Sequence, residues 1–323
     1  MKYEKISGIK KKVSRIAQGT VLLKVLGKSN SFRILDAALA EGINIFDSAH
    51  TYFEGESDRI FGEWVESRGI REEIILLDKG AYPNTDRNRL TPFDITADLY
   101  DCLARLKFDY LDIFALHRDD ESVPVGPIIE ILNTHIKNGL IRAIGASNWT
   151  SGRIKEANEY AAEHGLAGFT LSSPHYSLAE QYEDPWGYNS VTLTGDTAGR
   201  AREWYRKTQM PVFSWSTLCG GFFSGKYSRD NLDTFIEEKN KRVIRCYGRE
   251  PNFKRLDRCL EIATVHGATP SQIAVGWVLS GRLNCFPLIG SWTPEQVRQN
   301  AAASEIELTD SEVEYLNLEI NTY

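Results

Sequence analysis

Four titratable side chains of different character stand at or near the ends of short apolar runs. Asp47 closes NIFD, Tyr52 follows five positions later, Lys79 closes EIILLDK and His117 closes YLDIFALH. A phenol has a pKa near 10, too high to release a proton readily near neutrality, and a neighbouring ammonium favours its phenolate. Lys79 is suited to supply that charge, and Asp47 to hold the lysine protonated and in position. A histidine can hydrogen-bond the oxygen that the phenol protonates. Together the four would make a device for delivering a proton to a carbonyl, with no metal required and no ligand spacing that suggests one. Each has an ordinary explanation when taken alone. Asp47 could cap the following helix, Lys79 could lie on a solvated face, and His117 could be a satisfied core residue. Only a fold that gathers strand ends on one rim would unite them.

The elements needed for this are visible along the chain. Eight β-rich runs alternate with helical patterns: residues 15–17, 44–47, 73–79, 110–117, 141–147, 168–173, 211–216 and 284–290. Between the first two, SFRILDAALAEG at 31–42 puts Phe32, Ile34, Leu35, Ala38 and Leu39 on one helical stripe. Strands apolar on both faces and joined by helical crossovers imply a parallel sheet, and eight such units closing on themselves imply a (β/α)8 TIM barrel. An open doubly wound sheet is the alternative, but no strand–GxGxxG–helix fingerprint stands near the N-terminus. With no low-complexity linker, residues 1–323 are expected to form a single barrel domain. A short N-terminal β-hairpin precedes it, and long loops, 174–196 and 217–250, follow the sixth and seventh strands. Those loops would overhang the C-terminal mouth, where active sites of this fold gather.

Composition excludes several classes. Of 323 residues, 42% are hydrophobic and 25% charged, as in soluble globular proteins, and the net charge of −6 without basic blocks gives a nucleic-acid backbone nothing to bind. Five widely spaced cysteines without a C-x-x-C pair fit neither a disulfide framework nor a zinc site. No stretch approaches ~18 consecutive apolar residues, and the basic N-terminus lacks a signal-peptide core. A cytoplasmic protein without a membrane partner is expected.

The motifs in order resemble those of the aldo-keto reductase family across nearly the whole chain. SRIAQGT at 14–20 is similar to the family's first strand, and GINIFDSAHTY to its Asp-x4-Tyr segment. LLDKG and FALHR resemble the lysine and histidine strands, GASNW the Ser-Asn signature, and FSWSTLCGGFFSGKY the seventh-strand loop. The resemblance implies reversible hydride transfer between a nicotinamide cofactor and a carbonyl or alcohol. Tyr52 would be general acid/base, Asp47 and Lys79 would tune it, and His117 would orient the carbonyl.

Carried over by position, Ser147 and Asn148 would bind the nicotinamide carboxamide, with Ser173 where the family commonly has Gln. Trp215 would stack on the ring in place of the usual Tyr. Ser216, Leu218, Gly220 and Gly221 would wrap the pyrophosphate through backbone amides. GGFFSGKY at 220–227 nearly matches a P-loop but has Tyr227 where a Ser/Thr hydroxyl is needed. HRDD at 117–120 lacks the Asn of a kinase loop, so both phosphoryl-transfer readings fail. GSWTPEQVRQN at 290–300 resembles the adenosine-phosphate site, with Ser291 and Asn300 in place. Gly290, however, stands where several members have Lys, and Gln296 where the usual Arg meets a 2′-phosphate. Losing that guanidinium removes a charge-assisted contact, which leaves NADP(H) the family default and makes NAD(H) a serious rival. Arg298 and Trp292 are the candidates to compensate, but Arg298 lies two positions from Gln296, a spacing that does not put both on one helix face.

For the substrate, Phe53, Tyr82 and the loop bearing Trp186 and Tyr188 would line the mouth and suit a sugar-like or aromatic carbonyl compound. The alternative is a cofactor-binding regulatory module similar to the channel β-subunits that resemble this family.

Overall fold

The computed structural model describes residues 1–323. Ten strands form two sheets. An antiparallel hairpin pairs β1 (Tyr3–Glu4) with β2 (Val13–Ser14). Eight parallel strands then close a barrel: β3 (Ala17–Gly19), β4 (Ile45–Asp47), β5 (Ile75–Gly80), β6 (Leu111–Leu116), β7 (Ile141–Ser147), β8 (Leu171–Ser173), β9 (Val212–Ser214) and β10 (Cys285–Ile289). Strand β10 pairs with both β9 and β3, which completes the ring.

Each of the eight expected runs overlaps a barrel strand, but the first is displaced. Its pairing residues are Ala17–Gly19, not 15–17, because Leu288 and Ile289 register with Ala17 and Gln18. After a single helical turn, Leu23–Leu26, the first long helix runs Lys28–Ala40 and buries Ile34, Leu35 and Ala38, with Phe32 and Leu39 packed at its edge. The segment 217–250, expected as a loop, contains a helix, Glu238–Tyr247, whose buried Val243, Cys246 and Tyr247 cover the seventh-strand loop.

Strand alternation decides which side chains meet. Ile45, Ile75, Leu77, Ile113 and Ala115 fill the barrel interior with Phe213 and Phe286, and Ile6 and Val13 of the hairpin segment join them. Phe46, Leu76 and Phe114, one position out of phase, pack beneath the helices in the larger outer core. Asp47, Lys79 and His117 share the parity of the interior residues, so this period-two pattern carries them to one rim. Asp78 has the opposite parity. All five cysteines are free and buried, and no helix is long and apolar enough to cross a membrane.

Candidate active site

Lys79 is the hub of the rim. Its Nζ lies 2.6 Å from Asp47 Oδ1, donates to the Ser48 carbonyl at 2.7 Å and reaches the Tyr52 hydroxyl at 3.4 Å. Asp47 and Lys79 are buried at 4% and 2% exposure. The His117 ring centroid lies 6.1 Å from that of Tyr52, edge to face. The four residues singled out from the sequence therefore converge. Asp47 does not cap the next turn through its side chain, since its Oδ1 faces the lysine.

The backbone after Tyr52 is strained. Phe53 and Glu54 are left-handed at φ 49° and 56°, and Gly55 follows at φ 83°. A non-glycine residue in this region costs about 1–2 kcal/mol, so surrounding structure must hold the segment. Arg105 does so by donating to the His50 carbonyl at 2.8 Å.

Burial pushes the Tyr52 phenol up to about 12, although Lys79 opposes the rise. The expected net lowering by Lys79 does not survive, because desolvating a phenolate outweighs the neighbouring ammonium. Lys79 itself is raised: burial lowers it, but Asp47 and Tyr52 more than compensate. Asp47 is raised by burial against the pull of Lys79. His117 is held well below its ordinary value by burial and by the charges of Lys79 and Arg118, so its imidazole is neutral at pH 7.

Behind the rim lies a second cluster that the sequence did not disclose. Fully buried Asp78 and Asp58, the latter in the helix Glu56–Arg68, each bring a carboxylate oxygen to within 4.8 Å of the other and of Cys102 Sγ. Asp58 Oδ1 accepts from Ser48 Oγ at 2.5 Å, but Oδ2 of each aspartate has no partner. Burial, then the mutual charge of Asp78, raises Asp58 well above the carboxylate range.

Further round the rim, Asn148 is left-handed (φ 57°), a conformation asparagine tolerates. Its Oδ1 accepts from Val191 N (3.2 Å) and Trp215 Nε1 (3.1 Å), while Nδ2 donates to Ser147 Oγ and the His117 carbonyl. Asn148 is thus engaged within the protein and fixes the indole of Trp215, which also packs against buried His175 at 4.9 Å. Ser147 Oγ donates to the Ser173 carbonyl at 3.0 Å. Ser173 Oγ is the buried hydroxyl here without a partner. His175, which sequence reasoning missed, bonds Thr192 and the hydroxyls of Ser177 and Tyr247, and burial lowers it to about 3. It is a neutral packing support.

The loop after β9 turns through left-handed Ser216, Cys219, Gly220 and Gly221, with Leu218 between them. A Cβ on Gly221, at φ 91°, would strain the backbone while making only an ordinary contact with Ser224 Oγ at 3.7 Å. Orphaned Ser173 Oγ and this glycine-lined turn therefore fit a dinucleotide. In the segment 290–300, Ser291 Oγ donates to Gln18 Oε1 and accepts from Asn300 Nδ2. Gln296 Oε1 accepts from Trp292 N at 2.8 Å. Arg298 pairs with Glu295 at 2.7 Å on the exposed face of the helix Pro294–Ala302.

At the mouth, Tyr82 meets His117 at 4.9 Å and Tyr188 at 5.6 Å. Trp186 instead lies under Arg242, 4.1 Å from its ring centroid, and stacks on neither Tyr82 nor His117. Phe53 is 45% exposed. Arg118, which sequence reasoning did not single out, is followed by two aspartates that bond elsewhere. Asp119 pairs with Arg153, and Asp120 accepts from Ser122 and Asn88.

Residues 15–318 match the model of the aldo/keto reductase family. An uncharacterized oxidoreductase, YrpG, of Bacillus subtilis is 27% identical over 98% of this chain and 95% of its own. A putative aryl-alcohol dehydrogenase, AAD14, of Saccharomyces cerevisiae is 26% identical over 90% and 77%. Norsolorinic acid reductase B of Dothistroma septosporum is 25% identical over 89% and 71%. The barrel superposes on a glycerol dehydrogenase of Gluconobacter oxydans with TM-score 0.81 at 24% identity, covering 98% and 94% of the two chains. It also superposes on an aldo-keto reductase of Klebsiella pneumoniae in complex with NADPH, with TM-score 0.73 at 21% identity, covering 100% and 97%.

Proposed function

Because the chain belongs to the aldo/keto reductase family, an oxidoreductase family by the names of its relatives, we propose that it interconverts a carbonyl compound and the corresponding alcohol, with Tyr52 exchanging the proton at the substrate oxygen. The observation that carries this reading is Lys79 Nζ held between Asp47 and the Tyr52 hydroxyl. In the reducing direction Tyr52 starts as the neutral phenol that its elevated pKa favours, and gives its proton to the substrate oxygen. The phenolate left behind faces the Lys79 ammonium, which is positioned to stabilise charge that develops only as the proton leaves. Neutral His117 donates one N–H toward the same oxygen and orients it.

A nicotinamide dinucleotide, when bound, supplies or accepts the hydride. Ser173, with its unpartnered hydroxyl, and Ser147 suit the carboxamide. Trp215, fixed by Asn148, suits the ring face. The turn Ser216–Gly221 suits the pyrophosphate, and Ser291, Gln296 and Asn300 the adenosine end. With Gly290 and Gln296 uncharged and Arg298 paired to Glu295, the pocket favours use of NADH alongside NADPH. Aromatic Tyr82 and Tyr188 beside His117 suit an aromatic or sugar-like carbonyl compound. The relatives' names and the intact Tyr52–Lys79–Asp47 set weigh against a non-catalytic regulatory module.

The test is a panel of aldehydes and alcohols assayed with both cofactors, comparing wild type with Tyr52→Phe. Turnover should fall at least 100-fold while cofactor binding persists. Equal turnover by the two proteins would sink the proton-donor assignment, and cofactor binding without any turnover would restore the regulatory reading.

A further inference from the structure

Arg118 presents a buried guanidinium that no carboxylate neutralises. The residue is 5% exposed, and no acidic oxygen lies within ion-pairing distance of it, whereas the similarly buried Arg153 has both Asp119 and Glu156. Its neighbours in sequence are committed elsewhere: Asp119 to Arg153 at 3.3 Å, Asp120 to Ser122 and Asn88. The acid of the facing loop, Asp184, spends its oxygens on the backbone amides of Trp186, Gly187 and Ser190. Lys79, the other cation of the site, is balanced by Asp47. The rim therefore carries one uncompensated positive charge.

The hydrogen bonding of Arg118 is also incomplete in a directional way. Nη1 donates to Ser190 Oγ at 3.1 Å, Nε is buried without a partner, and no protein acceptor meets Nη2. Nε and Nη2 form one edge of the planar fork, the edge that grips two oxygens of a carboxylate or phosphate at once. Burying a guanidinium without a counter-ion is unfavourable unless something completes it. The open edge lies beside the reaction site. Arg118 Cζ is 5.5 Å from the Tyr82 ring centroid, and that ring is 4.9 Å from His117.

We propose that Arg118 is a specificity-determining residue that selects carbonyl substrates bearing an anionic group, a carboxylate or a phosphate. The anion binds the Nε–Nη2 edge, Ser190 fixes the guanidinium, and Tyr82 spaces the anion from the carbonyl held by Tyr52 and His117. This rests on the carbonyl oxidoreductase reading for its kinetic consequence, though the anion site stands without it.

Two measurements separate the two claims. Kinetics on matched pairs, 4-carboxybenzaldehyde against 4-methylbenzaldehyde and glyceraldehyde 3-phosphate against glyceraldehyde, should show wild type favouring the anionic member at least 10-fold in kcat/KM, chiefly through KM. Arg118→Met should abolish that ratio and Arg118→Lys restore it in part; which pair shows it tells carboxylate from phosphate. Calorimetric titration of the cofactor-saturated protein with benzoate and with inorganic phosphate should show binding of at least one, weakened at least 10-fold in Arg118→Met. Anion binding lost in Arg118→Met, without turnover of any carbonyl, would overturn the oxidoreductase reading and leave the anion site standing. Turnover of neutral aldehydes with no anionic preference, or a preference unchanged in Arg118→Met, would overturn the Arg118 proposal.

Discussion

Lys79 Nζ stands 2.6 Å from Asp47 Oδ1 and 3.4 Å from the Tyr52 hydroxyl, so the ammonium is held by the carboxylate more tightly than it engages the phenol. Lys79→Met should therefore do two things at once. It removes the charge that stabilises a Tyr52 phenolate, and it leaves Asp47 buried and unpaired. We expect kcat to fall at least 100-fold and stability to drop by about 3–5 kcal/mol, read from steady-state kinetics and urea titration. Lys79→Met with full activity would remove the lysine from the mechanism.

The pH profile should distinguish the two reaction directions. Reduction needs the neutral phenol, and burial keeps Tyr52 protonated up to about 12, so the rate should be flat from pH 6 to 8. Alcohol oxidation needs the phenolate and should rise with pH over the same range. His117 is neutral throughout because its pKa is depressed, so neither profile should show a limb at the ordinary histidine value. A limb near pH 6.5 that vanishes in His117→Asn would show that the imidazole titrates normally.

Cofactor choice should respond to the two uncharged positions at the adenosine end. Gly290 has ordinary space for a side chain, with Leu22 Cδ1 3.5 Å from a built Cβ. Gly290→Lys combined with Gln296→Arg should shift the NADPH-to-NADH affinity ratio at least tenfold toward NADPH, about 1.4 kcal/mol, by fluorescence titration. An unchanged ratio would mean that another group already meets the 2′-phosphate.

Asp58→Asn should stabilise the fold. The substitution keeps an oxygen for Ser48 Oγ and presents an amide donor toward the unpartnered Asp78 Oδ2, a gain of about 1–3 kcal/mol. In wild type the folded Asp58 has a higher pKa than the unfolded one, so the unfolded chain loses its proton first as pH rises. That penalty is missing in strong acid and grows through the carboxylate range. The advantage of Asp58→Asn in urea titration should accordingly be larger at pH 7 than at pH 4; the reverse trend would mean that Asp58 is stabilised as an anion.

What the sequence made legible follows strand chemistry. The runs around Ile75, Ile113 and Ile141 are apolar on both faces, so their strands were located to within a few residues and their polar terminal residues led to the rim. Gln18 and Gly19 lack that signal, so the first strand was placed two residues early. The helix Glu238–Tyr247 was missed because EKNKRVIRCY has few apolar residues, and burial of Val243, Cys246 and Tyr247 decides it. The sign of the Tyr52 shift was missed because the charge of Lys79 can be read from residue types, whereas desolvation depends on packing. Arg118 and the Asp58–Asp78 pair stayed hidden for a related reason. Local sequence gives Arg118 two acidic neighbours, and only the tertiary structure sends them elsewhere.

The left-handed run Phe53–Glu54–Gly55 bears on how such a site diversifies. It fixes Tyr52 through main-chain torsions and through Arg105 gripping the His50 carbonyl, whereas Tyr82, Arg118 and Tyr188 come from separate loops after β5, β6 and β8. On the proposed reading, mutational drift in Tyr82, Tyr188 or Ser190 can then alter which molecules are accepted while Tyr52, the proposed acid, keeps its station. Selection can retune the entrance and the reagent independently, because the two are tethered to different stretches of chain.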